Sequence, residues 1–384
     1  MTARERGVGV PNGLSRRRFI TVAGSGVAGG LLMVACGGDG DGATTTAGGT
    51  GTTGAAGAVP STSISSITVG YNNPNRVLRA PLYVGQTKGF FADVGIESVE
   101  INDADDPIPP TLAGSYHVAL YDSDVLYDFE DKAVQGGDPQ GLKMISINLG
   151  SQPLVFVANE GITVDNLAGK IVGGGREGMV NEALAKFMLQ EMGYNWETDV
   201  DFRNLTGGSD DWVTTMLSGA VDATIGFPRH IPLAEEVGGS ALYQDFLNSP
   251  QGGFGMLQSK IDEDPNFPVA WNYAYLQAQR YVKTLANKEE VRSILNDEFQ
   301  IDFPDNAWEV FDLDATILSQ DLGFDPAEMD EWLGFVAPFG NVREDIPWRD
   351  YTDVSYLHQA QEALDLDPNP AADLSSGQEL IDNF

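Results

Sequence analysis

Residues 170–182 read KIVGGGREGMVNE, and this stretch decides the fold class. An apolar pair followed by three consecutive glycines predicts a buried strand that ends in a tight turn, and the apolar spacing over 181–192 predicts a helix after it. Gly173, Gly175 and Gly178 also match G-x-G-x-x-G, the pattern of a dinucleotide-binding turn. A single match of this pattern is weak, so the surrounding sequence has to decide between a cofactor site and another α/β protein.

Strand-like and helix-like segments alternate on both sides of this turn. Further strands are predicted over 67–71, 99–101, 117–121, 143–149, 154–158, 201–205 and 221–226, and helices over 80–91, 110–114, 212–217, 269–285, 289–295, 307–318, 328–336 and 356–364. Such alternation predicts an α/β fold in which mainly parallel sheets are flanked by helices.

Two stretches rich in Pro and Gly divide the predicted body into two lobes. Residues 66–152 are assigned to the N-terminal part of lobe 1, residues 153–250 to lobe 2, and residues 251–384 to a return to lobe 1 followed by C-terminal helices. The chain is expected to cross between the lobes at Gly150–Pro153 and at Ser249–Gly255, because glycine supplies the backbone freedom of a hinge. The predicted architecture is therefore a two-lobed clamp with two hinge crossovers.

The charge balance restricts the possible partners. The chain has 56 acidic and 22 basic residues and a formal net charge of −34. Nucleic acid is excluded as a partner, because phosphate binding requires a basic surface. Repulsion between like charges is expected to keep the protein monomeric. The acidity suits a high-salt habitat, in which this repulsion is screened, and it equally suits an ordinary acidic secreted protein.

Residues 1–36 have the pattern of an export signal. Arg16 and Arg17 lie in SRRRFI, which resembles the twin-arginine export motif, and the apolar stretch that follows is shorter than the roughly 20 residues of a membrane-spanning helix. The stretch LMVAC that ends at Cys36 resembles a lipobox, so Cys36 is expected to be lipidated; the alternative is an incidental cysteine. The protein is thus expected to be exported and lipid-anchored on the outer face of the cytoplasmic membrane.

A linker without apolar surface follows the signal. Residues 37–65 consist almost entirely of Gly, Thr, Ala, Ser and Asp, and they are predicted to be disordered. The body beyond them contains no cysteine, and its histidines, His117, His230 and His358, are not spaced as metal ligands. We therefore assign no metal and no catalytic residue, and among the histidines only His230 lies beside a predicted cleft loop.

Several motifs in the body resemble one family of transport proteins. The motifs are VGY at 69–71, APLYVG at 80–85, KGFF at 88–91, LAGKIVG at 167–173 and MLSGAVDA at 216–223. In this order and spacing they resemble substrate-binding proteins of ABC importers in the nitrate, sulfonate and thiamine-precursor group, over residues 67–295. The resemblance implies a type II periplasmic-binding-protein clamp that closes on a small solute and delivers it to a membrane permease.

The ends of the predicted strands supply the expected ligand contacts, because ligands of open α/β sheets bind beyond the carboxyl ends of the strands. The predicted ligand-binding residues are Tyr71, Asn73, Arg76, Tyr121, Asp122, Ser123, Ser151, Gln152, Gly175, Arg176, Glu177, Gly178, Phe227 and Arg229. The rings of Tyr71, Tyr121 and Phe227 could stack on a planar solute, or they could belong to the core. The glycine turn either contacts the solute or is only a tight connection.

No nicotinamide cofactor is expected at the glycine turn. Glu177 is placed to cap the helix N-terminus that would otherwise hold a pyrophosphate, and the protein is exported. Acidic residues outnumber arginines in the loops at the cleft, which favours a neutral or cationic solute such as a pyrimidine precursor. A sulfonate or nitrate held by Arg76 or Arg229 is the alternative ligand. An exported enzyme related to pyrimidine synthases and a receptor-docking sensor domain are the alternative functions.

Overall fold

A computed structural model describes residues 58–71, 76–104, 106–299 and 318–368. Cys36, Arg16, Arg17, Asn73 and most of the helix predicted over 307–318 lie outside the described residues. Of Arg76 only the backbone is described.

The described residues form one eight-stranded sheet with the strand order β2-β1-β3-β8-β4-β7-β5-β6. The strands are β1 (Ser66–Tyr71), β2 (Ser98–Asp103), β3 (Val118–Asp122), β4 (Leu142–Ala158), β5 (Ile171–Gly174), β6 (Asp201–Asn204), β7 (Ala223–Gly226) and β8 (Ser240–Leu257). Parallel pairs lie at the two ends of the sheet, where β1 joins β2 to β3 and β5 joins β6 to β7.

Helices connect and cover the strands. Those with α-helical geometry are α1 (Arg76–Thr87), α2 (Ile108–Leu112), α3 (Ser123–Gln135), α4 (Val180–Glu191), α5 (Ser209–Leu217), α6 (Ile231–Glu236), α7 (Gln258–Glu263), α8 (Phe267–Lys283), α9 (Lys288–Ser293), α10 (Pro326–Val336) and α11 (Ser355–Ala363). A π-helical turn, Ile294–Glu298, follows α9. The expected α/β class is confirmed, although the sheet is mixed rather than mainly parallel.

The two longest strands, β4 and β8, run antiparallel to each other through the middle of the sheet. Residues 142–149 of β4 and 252–257 of β8 pair within a first half that also contains β1, β2 and β3. Residues 151–158 and 240–248 pair within a second half that contains β5, β6 and β7. The register shifts between Leu149 and Ser151. We call residues 149–152 of β4 and 247–252 of β8 the junction.

The chain does not leave strand geometry at the junction, where the sequence suggested breaks. Pro153 pairs with Phe246 inside β4, and β7 pairs with β4 only from Val155 onward. On the side that faces β7, β4 therefore forms no strand pairing at Pro153. A sheet tolerates a proline at such an unpaired position. Gly253 is required for another reason: an added Cβ would lie 2.0 Å from the carbonyl oxygen of Ser146.

An aromatic cluster fills the core of the first half. The ring of Trp271 on α8 lies 5.0 Å from that of Phe254 on β8 and 5.5 Å from that of Phe91, measured between centroids. Tyr275 lies 4.6 Å from Phe254 in the same way. All four side chains are buried, so α8 is fixed on the sheet by large apolar area.

The C-terminal segment contacts both halves of the sheet. Helix α10 packs on β8, and its Phe335 meets Phe187 of α4 edge-on at 4.9 Å between ring centroids. Further along, Arg343 forms an ion pair with Asp131 of α3. This segment thus reaches from the helix that follows β5 to the helix that follows β3.

The last residues of the predicted linker are bonded to the body. Thr62 Oγ1 and the backbone N–H of Ser63 donate to Asp264 Oδ2 at 2.7 and 2.9 Å. The ordered body therefore begins before β1. Among the described residues, no helix combines the length and the apolar character that crossing a membrane requires.

Candidate functional site

Two of the predicted aromatic contacts are core residues. Tyr71 and Tyr121 are each 1% exposed. The Tyr71 hydroxyl donates to the Leu78 carbonyl at 2.6 Å, and the Tyr121 hydroxyl donates to Thr111 Oγ1 at 2.6 Å. Burial raises the pKa of both phenols. Of the two possibilities that the sequence left open for these rings, the structure places both in the core.

The stretch Asp122-Ser123-Asp124 is the start of helix α3. The Ser123 hydroxyl donates to the Pro250 carbonyl at 3.0 Å, which fixes the first turn of α3 against the junction. Asp122 is half-buried at the end of β3, where it pairs with Gly252. These contacts bring the end of β3, the start of α3 and the junction together.

Asp124 is the most perturbed acid in this region. Its side chain is 1% exposed, and Oδ2 accepts a hydrogen bond from Asn341 Nδ2 at 2.9 Å. Burial, followed by the charge of Asp122, raises the pKa of Asp124 to about 7, while the Asn341 amide and the nearby first-turn amides oppose the rise. Oδ1 accepts no hydrogen bond of normal geometry from the described residues.

The junction itself is lined by buried polar side chains. Ser151 and Gln152 are 3% and 2% exposed, and Gln152 Oε1 accepts a hydrogen bond from Gln251 Nε2 at 2.5 Å. Within the described part of the chain, two further buried atoms here, Asn248 Oδ1 and Ser249 Oγ, have no hydrogen-bond partner. An unpaired buried polar atom costs about 1–3 kcal/mol, so its presence in a native core calls for an explanation.

Packing explains the consecutive glycines of the turn after β5. A Cβ at Gly174 would lie 2.2 Å from the ring of Phe202, and a Cβ at Gly175 would lie 2.4 Å from Cβ of Asn181. Gly178 has a φ of +73°, a conformation that favours glycine. Arg176 is half-buried beside this turn.

The carboxylate that caps this turn is Glu182, not Glu177. Glu177 is exposed, whereas Glu182 Oε2 accepts the Gly178 N–H at 2.6 Å. Burial alone would raise the pKa of Glu182, but its bonds to Lys186 and to the Gly178 N–H hold that pKa below its usual range. Because a carboxylate occupies the donor at Gly178, the turn does not fit a pyrophosphate.

Arg229 and His230 are bonded to a neighbouring loop. Arg229 Nη2 donates to Ser209 Oγ at 2.8 Å and to Asp210 Oδ1 at 3.0 Å. His230 is 1% exposed; its Nδ1 accepts the Phe227 N–H at 2.9 Å, and its Nε2 lies 2.7 Å from Asp210 Oδ1. Burial lowers the pKa of His230, and the His230 contact in turn lowers the pKa of Asp210.

The residue that sequence interpretation missed is Asn341. Its amide nitrogen donates both to Asp124 Oδ2 at 2.9 Å and to the Gly178 carbonyl at 3.2 Å. One side chain from the C-terminal segment thus joins the start of α3 to the glycine turn. No local pattern around Asn341 indicates this role, because its partners lie far away in sequence.

A pocket of about 620 Å³ opens beside this bridge. Val125 and Phe129 of α3 line one side, Gly178 and Met179 line another, and Asn341 lies between them. In the residues that the structure describes, no group of three or more His, Cys, Asp or Glu side chains could hold a metal ion. Charged side chains, among them Asp128 and Lys132, also line the pocket.

Two half-sheets joined by a pair of long strands, with polar groups buried where they meet, define a periplasmic-binding-protein fold. Residues 78–243 match the family described as NMT1/THI5 like.

Relatives and solved structures agree with this class. The nitrate/nitrite binding protein NrtA of Nostoc sp. is 24% identical over 320 residues, which cover 74% of this chain and 70% of that protein. The periplasmic nitrate-binding protein NrtA of Synechocystis shares the fold with a TM-score of 0.62 and 15% identity, over 84% of this chain and 99% of that one. A periplasmic sulfonate-binding protein, SsuA, of a putative sulfonate ABC transporter from Methylobacillus flagellatus has a TM-score of 0.57 and 13% identity, over 81% and 99%. These relatives are solute-binding proteins.

Proposed function

We propose that this protein is the exported solute-binding subunit of an ABC importer and that it captures a small nitrogenous solute at the junction. In this proposal residues 1–36 are the twin-arginine lipoprotein signal, the residues between Cys36 and Thr62 form the linker to lipidated Cys36, and the two halves of the sheet act as lobes. The protein works as a monomer and passes its solute to a membrane permease.

The observation that carries the proposal is a set of buried polar atoms at the junction and at the start of α3. Asp124 Oδ1, Asn248 Oδ1 and Ser249 Oγ have no hydrogen-bond partner among the described residues. They lie close to where the two halves of the sheet meet, the place at which a hinged clamp holds its ligand. A solute with matching polar groups offsets the cost of burying them.

The charges near the junction favour a solute that carries N–H groups. Two arginines near the ends of the strands are engaged with acids: Arg229 with Asp210, and Arg79 with Asp103. Asp124 forms no salt bridge with a described Lys or Arg, and its environment attracts hydrogen-bond donors rather than anions. Of the predicted contacts, Ser151, Gln152, Gly178 and Phe227 remain proposed ligand contacts.

An anion is the second candidate ligand. The relatives described above are named for nitrate, nitrite and sulfonate. An oxyanion would need donors at the junction, where the amide nitrogens of Gln152 and Gln251 each donate one hydrogen bond within the protein and keep a second N–H. An enzyme on the same scaffold is the remaining alternative, and consumption of a bound compound would reveal it.

A binding screen tests the proposal. The purified protein is heated with aminopyrimidines, alkylamines, nitrate, alkanesulfonates and carboxylates, and each compound that raises the melting temperature is titrated by calorimetry. Aminopyrimidines or amines are expected to bind with one site per monomer and to be recovered unchanged. The importer function is refuted if the bound compound is converted, or if no solute of any of these classes binds.

A labelling experiment tests the anchor. Cells that express the full chain are fed a labelled fatty acid, and wild type is compared with Cys36→Ser. Label and membrane association are expected in wild type only, because lipid chains anchor through their buried methylene groups. Equal membrane association of the two proteins would refute the lipid anchor.

A further inference from the structure

The carboxyl group of Asp124 has one satisfied oxygen and one unsatisfied oxygen. Oδ2 accepts the Asn341 amide at 2.9 Å, whereas Oδ1 has no hydrogen-bond partner among the described residues. The side chain is 1% exposed, so bulk water does not replace the missing partner. A buried carboxyl without its hydrogen bonds is costly, so its presence in a native protein calls for an explanation.

A second unsatisfied group lies close to Asp124. Ser123, the chain neighbour of Asp124, bonds directly to the carbonyl of Pro250, which is the chain neighbour of Ser249. The Ser249 side chain is fully buried, and within the described residues its hydroxyl has no partner. The two unsatisfied groups thus flank one direct contact between α3 and the junction.

The described basic side chains near Asp124 form ion pairs with other acids. Arg343, two residues after Asn341, pairs with Asp131 and Asp345, and Lys132 on α3 pairs with Asp128. The carboxyl is therefore not the structural partner of a described cation. Its satisfied oxygen is held by a neutral amide, which fixes the group without neutralising it.

We propose that Asp124 is the recognition carboxyl of the site and that its Oδ1 accepts an N–H hydrogen bond from an amino group of the solute, either a protonated amine or an amino-substituted heterocycle. This inference rests on the proposed function. It assigns the specificity for N–H donors to Asp124 and makes Asn341 the residue that positions it. Anions are rejected by the ionised form of the same carboxyl, because two acceptors facing each other in a buried site repel.

Asn341 extends the consequence of this contact to the second half of the sheet. The same amide nitrogen donates to the Gly178 carbonyl at 3.2 Å. A solute that engages Oδ1 stabilises the position of Asp124, and through Asn341 it stabilises the contact with the glycine turn. Binding of the solute to Asp124 thereby favours the arrangement in which Asn341 joins the two halves of the sheet.

Calorimetric titration of the purified protein with four probes tests the proposal. The probes are 4-aminopyrimidine, its N,N-dimethyl derivative, butylamine and ethanesulfonate. Wild type is compared with Asp124→Asn and with Asp93→Asn, which removes the same charge from an exposed position. Asp124→Asn is expected to weaken binding of 4-aminopyrimidine or butylamine by at least about tenfold, the ratio for a lost charge-assisted hydrogen bond, whereas Asp93→Asn should stay within about twofold.

The dimethyl probe keeps the test independent of how the variant folds. Removing both N–H groups from the probe should weaken binding to wild type by at least about tenfold and should have a smaller effect on Asp124→Asn. Equal binding of the two pyrimidines by wild type overturns the proposal, as does unchanged affinity in Asp124→Asn. If wild type binds ethanesulfonate alone, the solute-binding function stands and the role of Asp124 is refuted. If it binds none of the four probes, the role of Asp124 is refuted as well.

Discussion

The ion pair between Asp131 and Arg343 should hold the C-terminal segment, and with it Asn341, against α3. Asp131 accepts Arg343 Nε at 2.6 Å and Nη2 at 3.1 Å, and it also accepts the Tyr351 hydroxyl at 2.9 Å. Its side chain is 6% exposed. The perturbation is Asp131→Asn, which keeps the shape of the side chain and one acceptor oxygen but removes the charge.

The expected loss follows from burial. Replacing charged hydrogen bonds by neutral ones, and leaving one of the donors unmatched, costs about 3 kcal/mol at a buried site. Arg343 is 41% exposed and regains part of its hydration, which reduces the expected loss to about 2 kcal/mol. Asp330 is the matched control: it accepts both terminal nitrogens of Arg349 and is 52% exposed. Asp330→Asn should cost less than about 1 kcal/mol.

Thermal unfolding of the two variants measures the difference. Asp131→Asn should lower the melting temperature by about 4–8 °C, and Asp330→Asn by no more than about 3 °C. Arg343 lowers the pKa of Asp131, so the wild-type advantage is complete above the unfolded-state pKa and disappears as the pH falls below about 4. Equal melting temperatures for the two variants would refute the argument that burial gives this pair its strength.

Three further substitutions test other parts of the account. Gly253→Ala should destabilise the fold by about 3 kcal/mol, because its Cβ would lie 2.0 Å from the Ser146 carbonyl oxygen; a normal urea midpoint would contradict this packing. Gly334→Ala should raise the free energy of unfolding by about 0.5–1 kcal/mol, and so raise the urea midpoint, because it lies in α10 with nothing within 4 Å of an added Cβ; a lower midpoint would be the contrary result. His230→Ala should cost about 1–3 kcal/mol at neutral pH, because the Phe227 N–H loses its acceptor. The pKa of His230 is lowered, so this cost should shrink as the pH falls below about 6.5, and a constant cost from neutral to acidic pH would contradict it.

The sequence pattern predicted the strands and helices that carry apolar periodicity, but it missed helix α3. Residues 123–135 contain Asp124, Asp128, Glu130 and Asp131, and this density of acid indicates a polar surface segment. The structure instead buries three of the four. Asp131 is satisfied by Arg343 and Tyr351, and the Glu130 carboxylate accepts the Leu142 N–H at 2.7 Å. These partners lie elsewhere in the chain, so local sequence cannot reveal that the acids belong to the interior.

Strand β8 was missed for a related reason. Glycines and a proline near 250–255 indicate a loop, yet Gly253 is there to allow close contact between two strand backbones. A glycine that permits close approach and a glycine that permits a turn look identical in sequence. The two long antiparallel strands, and thus the mixed character of the sheet, could not be predicted for this reason.

The candidate site, too, could be predicted only in part from the sequence. The sequence placed Ser123, Ser151 and Gln152 near a cleft from the ends of strands, and the structure brings all three to the region where β3, β4 and β8 meet. It could not predict Asn341, which reaches the site only through the packing of the C-terminal segment. Nor could it separate Asp124 from the other acids near the cleft, because the distinction lies in burial.

The placement of Asn341 has a thermodynamic consequence for a hinged protein. Its one amide nitrogen bonds the start of α3 and the glycine turn, so the two contacts are made together only when these elements stand at the distance that the structure shows. Any separation of the two halves at this point leaves the Asp124 carboxyl or the Gly178 carbonyl without this donor. A solute that binds Asp124 more tightly in the assembled form than in the separated form then stabilises the assembled form. The stabilisation equals the difference between the two binding free energies. If Asp124 selects the solute as we propose, the C-terminal segment does more than cover the sheet, because it makes closure depend on the same carboxyl.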